Sequence, residues 1–133
     1  MNGLGYLDGN VLKPVLPEGK SPPNISCLFG TPGRLWIGTE SKGLYCYDFR
    51  SEKLEHIAAV KMVRQIKADG ERGVLIACND GVLAVPFEAP KDYTRYTVQH
   101  GLPTNEIEDV LAQGDSIIFV ASSRGLHELD RYF

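Results

Sequence analysis

The phrase GLGYLD at Gly3–Asp8 returns three times with small changes: GLYCYD at Gly43–Asp48, GVLAVP at Gly81–Pro86 and GLHELD at Gly125–Asp130. The leading glycines stand about 40 residues apart. A chain that repeats one β-prone phrase at this interval is made of stacked copies of a single supersecondary unit. A residue that recurs once per unit is therefore architecture before it is chemistry.

The repetition extends on both sides of the glycine. Ahead of it stand Arg34–Thr39 (RLWIGT), Gly73–Cys78 (GVLIAC) and Ser116–Ala121 (SIIFVA), short apolar runs suited to strands inside packed sheets. Each leads into a polar turn, Glu40–Gly43, Asn79–Gly81 or Ser122–Gly125. The closing glycine can take a positive φ without the penalty a Cβ imposes, which predicts hairpins. One step earlier, Asn24–Leu28, Val63–Ile66 and Asn105–Leu111 form another aligned set, and Lys53–Ile57 and Asp92–Thr97 form a more polar fourth.

Four strands per unit, apolar at the centre and solvated at the outer edge, predict an all-β array of propeller blades. A β-sandwich also spaces its strands evenly, but does not need the same words every 40 residues or so. The chain reads as one array: a partial blade over 1–16, then blades at about 17–57, 58–98 and 99–133. Leu35, Ile37, Leu44, Leu75, Ile117, Phe119 and Leu126 are expected to be buried. Closed propellers use about four to eight blades, so one chain of this length does not close a ring. The missing neighbours would come from sequence beyond this chain or from a second copy, and self-association is expected.

Leu35-Trp36-Ile37-Gly38-Thr39 followed by Gly43-Leu44-Tyr45-Cys46-Tyr47-Asp48 resembles the two-component regulator propeller repeat, as does Gly101-Leu102-Pro103-Thr104-Asn105 running into the last unit. The likeness covers nearly the whole chain, with 49–86 the divergent stretch, where Ala77-Cys78 stands for the Gly-Thr pair. The resemblance implies a sensor propeller of a bacterial two-component system, placed in the periplasm or outside the cell, that detects a glycan or other small molecule.

Composition limits the partners. With 17 acidic and 14 basic residues and a net charge of −3, the chain carries no electrostatic footprint for nucleic acid or an anionic membrane. Its apolar runs fall far short of the roughly 20 residues that span a bilayer. Met1-Asn2-Gly3 does not open a signal peptide. Cys27, Cys46 and Cys78 are odd in number, sit among apolar strand residues and match no zinc spacing, so they read as buried free thiols. Taken alone they suit a reducing compartment, against the placement the resemblance implies.

Several motifs carry no chemistry on inspection. Gly19-Lys20-Ser21 has the tail of a phosphate loop without its leading glycine or helix. Asn24-Ile25-Ser26 is a glycosylation pattern at the head of an inner strand. His56, His100 and His127 share no metal-ligand spacing, Glu106, Glu108 and Asp109 do not converge on one site, and Ser122-Ser123 lacks a nucleophile elbow. Neither a cofactor nor a metal is expected. Trp36 could stack on a sugar, but it occupies an apolar slot that recurs in each unit and reads as core.

Asn24 and Asn105 head inner strands after Pro-containing loops, and Arg64 stands near the equivalent place in the middle unit. Loops there lie near a propeller axis, so these three are the candidate ligand-binding residues. Each asparagine could instead cap its turn. The favoured reading is a non-enzymatic recognition or sensor module. A protein-interaction scaffold and a propeller lyase of streptogramin type are the alternatives.

Overall fold

The computed structural model describes residues 4–16 and 19–132, so Gly3 of the first repeat phrase lies outside the described residues. It is all β apart from single 3₁₀ turns at Pro90–Asp92 and Val98–His100. The strands are β1 (Gly5–Asp8), β2 (Val11–Pro14), β3 (Ile25–Thr31), β4 (Arg34–Thr39), β5 (Leu44–Asp48), β6 (Lys53–Ala58), β7 (Gln65–Asp69), β8 (Gly73–Cys78), β9 (Gly81–Pro86), β10 (Thr94–Tyr96), β11 (Asp109–Gln113), β12 (Ile117–Ser122) and β13 (Gly125–Asp130). They form a leading hairpin β1-β2, two four-stranded meanders β3-β4-β5-β6 and β7-β8-β9-β10, and a three-stranded meander β11-β12-β13. All pairings are antiparallel. These are propeller blades in an open array.

The register shows which side chains are equivalent. Gly38, Ala77 and Ala121 each face the residue that follows the turn glycine, namely Leu44, Val82 and Leu126. Trp36, Leu75 and Phe119 then share one slot, and Leu35, Val74 and Ile118 share the next. Alternation sends these two sets to opposite faces of each sheet. Trp36, Leu44 and Cys46 of the first sheet pack with Val74, Ile76, Leu83 and Val85 of the second. Leu75, Ala77 and Val82 on the second sheet's other face pack with Val110, Ile118, Val120 and Leu129 of the third. One stacking rule thus operates twice.

Burial fails where the stack ends. Leu126 is 73% exposed although its equivalents Leu44 and Val82 are fully buried, which corrects the expectation that it is core. Leu35, Ile117 and Phe119 are only half-buried, whereas Ile37, Leu44 and Leu75 are fully buried as expected. Trp36 is core, its indole N–H donating to Thr31 Oγ1 at 2.9 Å. At the other end Leu28 is half-exposed while its equivalents Ile66 and Val110 are buried. There Leu4, Val15 and Leu16 are the residues of the described leading segment that pack with Ile37 and Tyr47. Some strands are shorter than the aligned sets suggest: 105–108 precedes β11, and β10 is three residues long.

The repeat phrases have local causes. Buried Thr39 donates its hydroxyl to the Gly43 carbonyl at 2.8 Å and accepts from Lys42 N at 3.0 Å. In the divergent unit Cys78 takes this place, its thiol donating to the Gly81 carbonyl at 3.4 Å. Asp48 accepts from Arg50 N and Ser51 N at 2.8 and 3.1 Å, and these bonds, Ser51 first, hold its carboxyl below the usual range. Gly43, Gly81 and Gly125 have φ of 91°, 97° and 105°, as the turns require. A Cβ on Gly43 would lie 1.9 Å from the Ala58 carbonyl, and one on Gly81 would lie 2.1 Å from that of Tyr96. Nothing lies within 4 Å of the same position at Gly125.

This difference makes a graded test. Gly43→Val meets both a strained φ and a backbone clash and should cost at least about 3 kcal/mol, while Gly125→Val meets the φ strain alone and should cost about 1–3 kcal/mol. Urea unfolding of the two variants compares them, and equal costs would contradict the packing difference.

All three cysteines are free. Burial pushes the thiols of Cys46 and Cys78 up to about 11 from an ordinary 9.0, and raises Cys27 as well. A thiol harder to ionise folded than unfolded stabilises the fold below its unfolded value and loses that contribution as pH rises through the folded value. Stability should therefore fall between about pH 9 and 11, and a Cys46→Ala/Cys78→Ala variant should show a flatter decline in chemical denaturation. Below pH 9 iodoacetamide should label partly exposed Cys27 first, with Cys46 and Cys78 reacting only on unfolding, as peptide mass mapping would reveal.

Candidate functional site

Each four-stranded meander ends in a linking segment that crosses from its outer strand to the next inner strand, and these segments tie the sheets together at one end. Met62 N donates to the Glu40 carbonyl at 2.7 Å and Val63 N to that of Thr39 at 3.0 Å, both on the first sheet. On the second sheet, Arg64 N donates to the Ala77 carbonyl and Asn79 N donates back to that of Lys61, each at 2.8 Å. The next link repeats the pattern: Ile107 N donates to the Cys78 carbonyl and Glu108 N to that of Ala121, each at 2.9 Å. The backbone polar groups of both links are thus used by the sheets they join.

The three sequence candidates all stand on this end. Arg64 is half-buried where the links meet, its guanidinium donating to Asn79 Oδ1 and, at 3.4 Å, to the Ile107 carbonyl. Asn105 belongs to the same seam: its carbonyl accepts from Gly81 N at 2.8 Å and its side-chain oxygen from Val98 N at 2.9 Å. That side chain caps a turn. Asn24 is exposed with φ 52°, and its carbonyl accepts from Glu40 N at 3.0 Å. Arg64 and Asn105 are brought together across the second and third sheets, while Asn24 connects to them only through the backbone relay of Glu40 and Met62. Exposed Ser26 lies nearer to Arg64, donating to the carbonyl of adjacent Val63.

The opposite end holds a feature that sequence reasoning missed. Asp69 and Arg131 are joined at 2.6 Å, with side chains only 3% and 7% exposed. Arg72 Nε stands 3.8 Å from Asp69, and its Nη2 binds Asp115 at 2.7 Å. Asp69, Arg72 and Arg131 line a recess of about 220 Å³ with Tyr96 and Tyr132. Among the described residues Asp69 Oδ1 and Arg131 Nε have no hydrogen-bond partner. Asp69 ends β7 and Arg131 follows β13, so the pair fastens the third sheet to the second. No spacing rule marks it, because its members are 62 residues apart. A second recess, about 340 Å³, lies on the outward face of the third sheet among Leu111, Phe119, Ala121 and Leu126, with the Lys67–Asp109 ion pair of 2.9 Å at its rim.

Among the described residues no group of histidine, cysteine or carboxylate side chains could hold a metal ion, and no helix is long and apolar enough to cross a membrane. No family model matches the chain and no curated protein matches it. Solved structures do. The extracellular domain of BT4673 from B. thetaiotaomicron, assigned as a one-component system, superposes on 96% of this chain with TM-score 0.77 at 22% identity. That of BT3049 from the same organism, assigned as a hybrid two-component system, covers 98% with TM-score 0.75 at 17% identity. PorZ, a surface component of the type-IX secretion system of Porphyromonas gingivalis, covers 80% with TM-score 0.62 at 16% identity. The chain spans about a fifth of the length of these proteins: 18%, 21% and 17%. At such identities the likeness establishes the fold.

The buried ion pair is open to a direct test. Arg131→Met strands the Asp69 carboxylate in the interior and should destabilise by about 3 kcal/mol or more. Adding Asp69→Asn should restore part of that loss, so the double variant should be more stable than Arg131→Met alone in urea titration.

Proposed function

We propose that this chain is a non-enzymatic recognition module, part of the extracytoplasmic ligand-sensing region of a bacterial signalling protein. It takes a small molecule or glycan at the link end of its sheets. The observation that carries the reading is the convergence of both links on Arg64. A half-buried guanidinium, held from one side by Asn79 and the Ile107 carbonyl, stands at the junction of three sheets. Charge-assisted donors in a fixed fork suit oxygen-rich ligands, carboxylated or hydroxylated. Asn24 and Ser26, both exposed on the same end, extend the polar surface beside it. The likeness to extracellular domains of one- and two-component systems supports the signalling role and a place in the periplasm or outside the cell.

A thermal-shift screen against neutral and acidic oligosaccharides tests this. One class should raise the melting temperature by several degrees at about a hundredfold excess over its Kd. Arg64→Met should lose that shift, while Lys53→Met, on exposed outer strand β6, should keep it. A panel with no binder, or a shift that survives Arg64→Met, would overturn the assignment.

A further inference from the structure

The place that Arg64 holds in the second sheet is held in the first by a much smaller residue. Cys27, Gln65 and Asp109 face Gly38, Ala77 and Ala121 across the first strand pair of each sheet. The residues just before them, Ser26, Arg64 and Glu108, are therefore equivalent. Val63 and Ile107 are equivalent too, since their amides donate to the matching carbonyls of Thr39 and Cys78. Ser26 Oγ donates to the Val63 carbonyl of the first link. In the same way Arg64 Nη1 donates to the Ile107 carbonyl of the second link, at 3.4 Å. A hydroxyl thus suffices for this bond from sheet to link. Most of the Arg64 guanidinium is surplus to it.

That surplus has a fixed orientation. A guanidinium carries five N–H donors, two of them on Nη1. Nη1 makes both protein bonds, to Asn79 Oδ1 and to the Ile107 carbonyl, which pins one end of the plane. Among the described residues Nε and Nη2 have no hydrogen-bond partner, and neither is sealed from solvent. Their N–H groups lie parallel along one edge, spaced for the two oxygens of a carboxylate. Arg72 and Arg131 find such partners in Asp115 and Asp69. Arg64 does not: among the described residues no carboxylate forms an ion pair with it.

We propose that the free Nε–Nη2 edge of Arg64 recognises a carboxylate, so that the ligand of the link end is an organic acid rather than a neutral polyol. This rests on the reading of the link end as a ligand site and narrows its ligand class. A hydroxyl can use a single donor at many angles, whereas a carboxylate takes both N–H groups in one plane. Because Nη1 is already pinned, little side-chain freedom is lost when the other edge is filled. Exposed Glu106 and Glu108 stand on either side of Ile107 and oppose negative charge nearby. The site therefore favours a single delocalised charge, as on a carboxylate, over a doubly charged anion.

Titration of the isotope-labelled whole chain with glucuronate, glucose and inorganic sulfate at equal ionic strength tests the proposal, followed by the Arg64 Nε–H resonance. Glucuronate should shift that resonance and saturate, and glucose should leave it unmoved at the same concentration. Sulfate should bind at least about tenfold more weakly than glucuronate. Arg64→Ser, which keeps a hydroxyl for the Ile107 carbonyl, should melt within about 2 °C of the unmodified chain yet lose the glucuronate response in its backbone amides. Arg64→Lys keeps the charge without the fork and should bind glucuronate about tenfold more weakly. Equal shifts with glucose and glucuronate would overturn the carboxylate assignment while leaving a ligand site at Arg64. Sulfate binding as well as glucuronate, or Arg64→Lys binding as well as the unmodified chain, would overturn it by showing that charge alone is read. A silent glucuronate titration would also overturn it, and the oligosaccharide screen with Arg64→Met would still judge the wider reading. If Arg64→Ser unfolds the chain, the guanidinium is a structural clamp and the proposal fails.

Discussion

The fold depends on the stacking of sheet faces. No sheet here has a core of its own. Trp36, Leu44 and Cys46 are dry because Val74, Ile76, Leu83 and Val85 stand against them, and Leu75, Ala77 and Val82 are dry because the third sheet covers them. Transfer of apolar area out of water contributes about 25 cal/mol per Å², and each internal face obtains that gain only from its neighbour. Stability in such an array is a sum of interfaces, and the two terminal faces contribute least. The same residue type in the same slot is consequently buried at Leu44 and exposed at Leu126.

Stacking demands small residues at defined places, and the repeat phrase is a record of those demands. A Cβ at Gly38 would come within 2.4 Å of Val63, and the equivalent position in the second sheet carries the small residue Ala77. The turn glycines are needed twice over in the complete sheets, for their positive φ and for the outer-strand carbonyl beside them. Thr39 and Cys78 perform one task with different atoms, a side-chain donor reaching the carbonyl of the turn glycine. This substitution lets the middle unit diverge in sequence while keeping its shape.

The links provide directional bonds to an assembly otherwise held by apolar contact. Their amides and carbonyls connect consecutive sheets at one end, and the buried Asp69–Arg131 pair fastens the second and third at the other. Buried ion pairs add little net stability but penalise any arrangement that separates the partners. Together the two ends fix how one sheet is set on the next, and that setting places Arg64 against Asn79 and the Ile107 carbonyl, where the two links meet.

The 40-residue period, the hairpin glycines with positive φ, the four-strand order and the burial of Trp36, Ile37, Leu44 and Leu75 were all determined by the sequence alone. Each follows from local geometry: alternation assigns a face, and a missing Cβ permits a turn. The role of Asn105 as a turn cap was also among the readings its position allowed. Tertiary structure decided what depends on neighbours distant in the chain. Leu126 reads as core by pattern and is exposed because, among the described residues, no sheet stands beside it. Arg131 carries no local signal of burial and is buried because the fold brings it to Asp69. Arg64 gained its position from links that no local signal describes. Hydrophobic periodicity reports which side a residue faces, and only the assembled sheets determine whether another sheet is there to meet it.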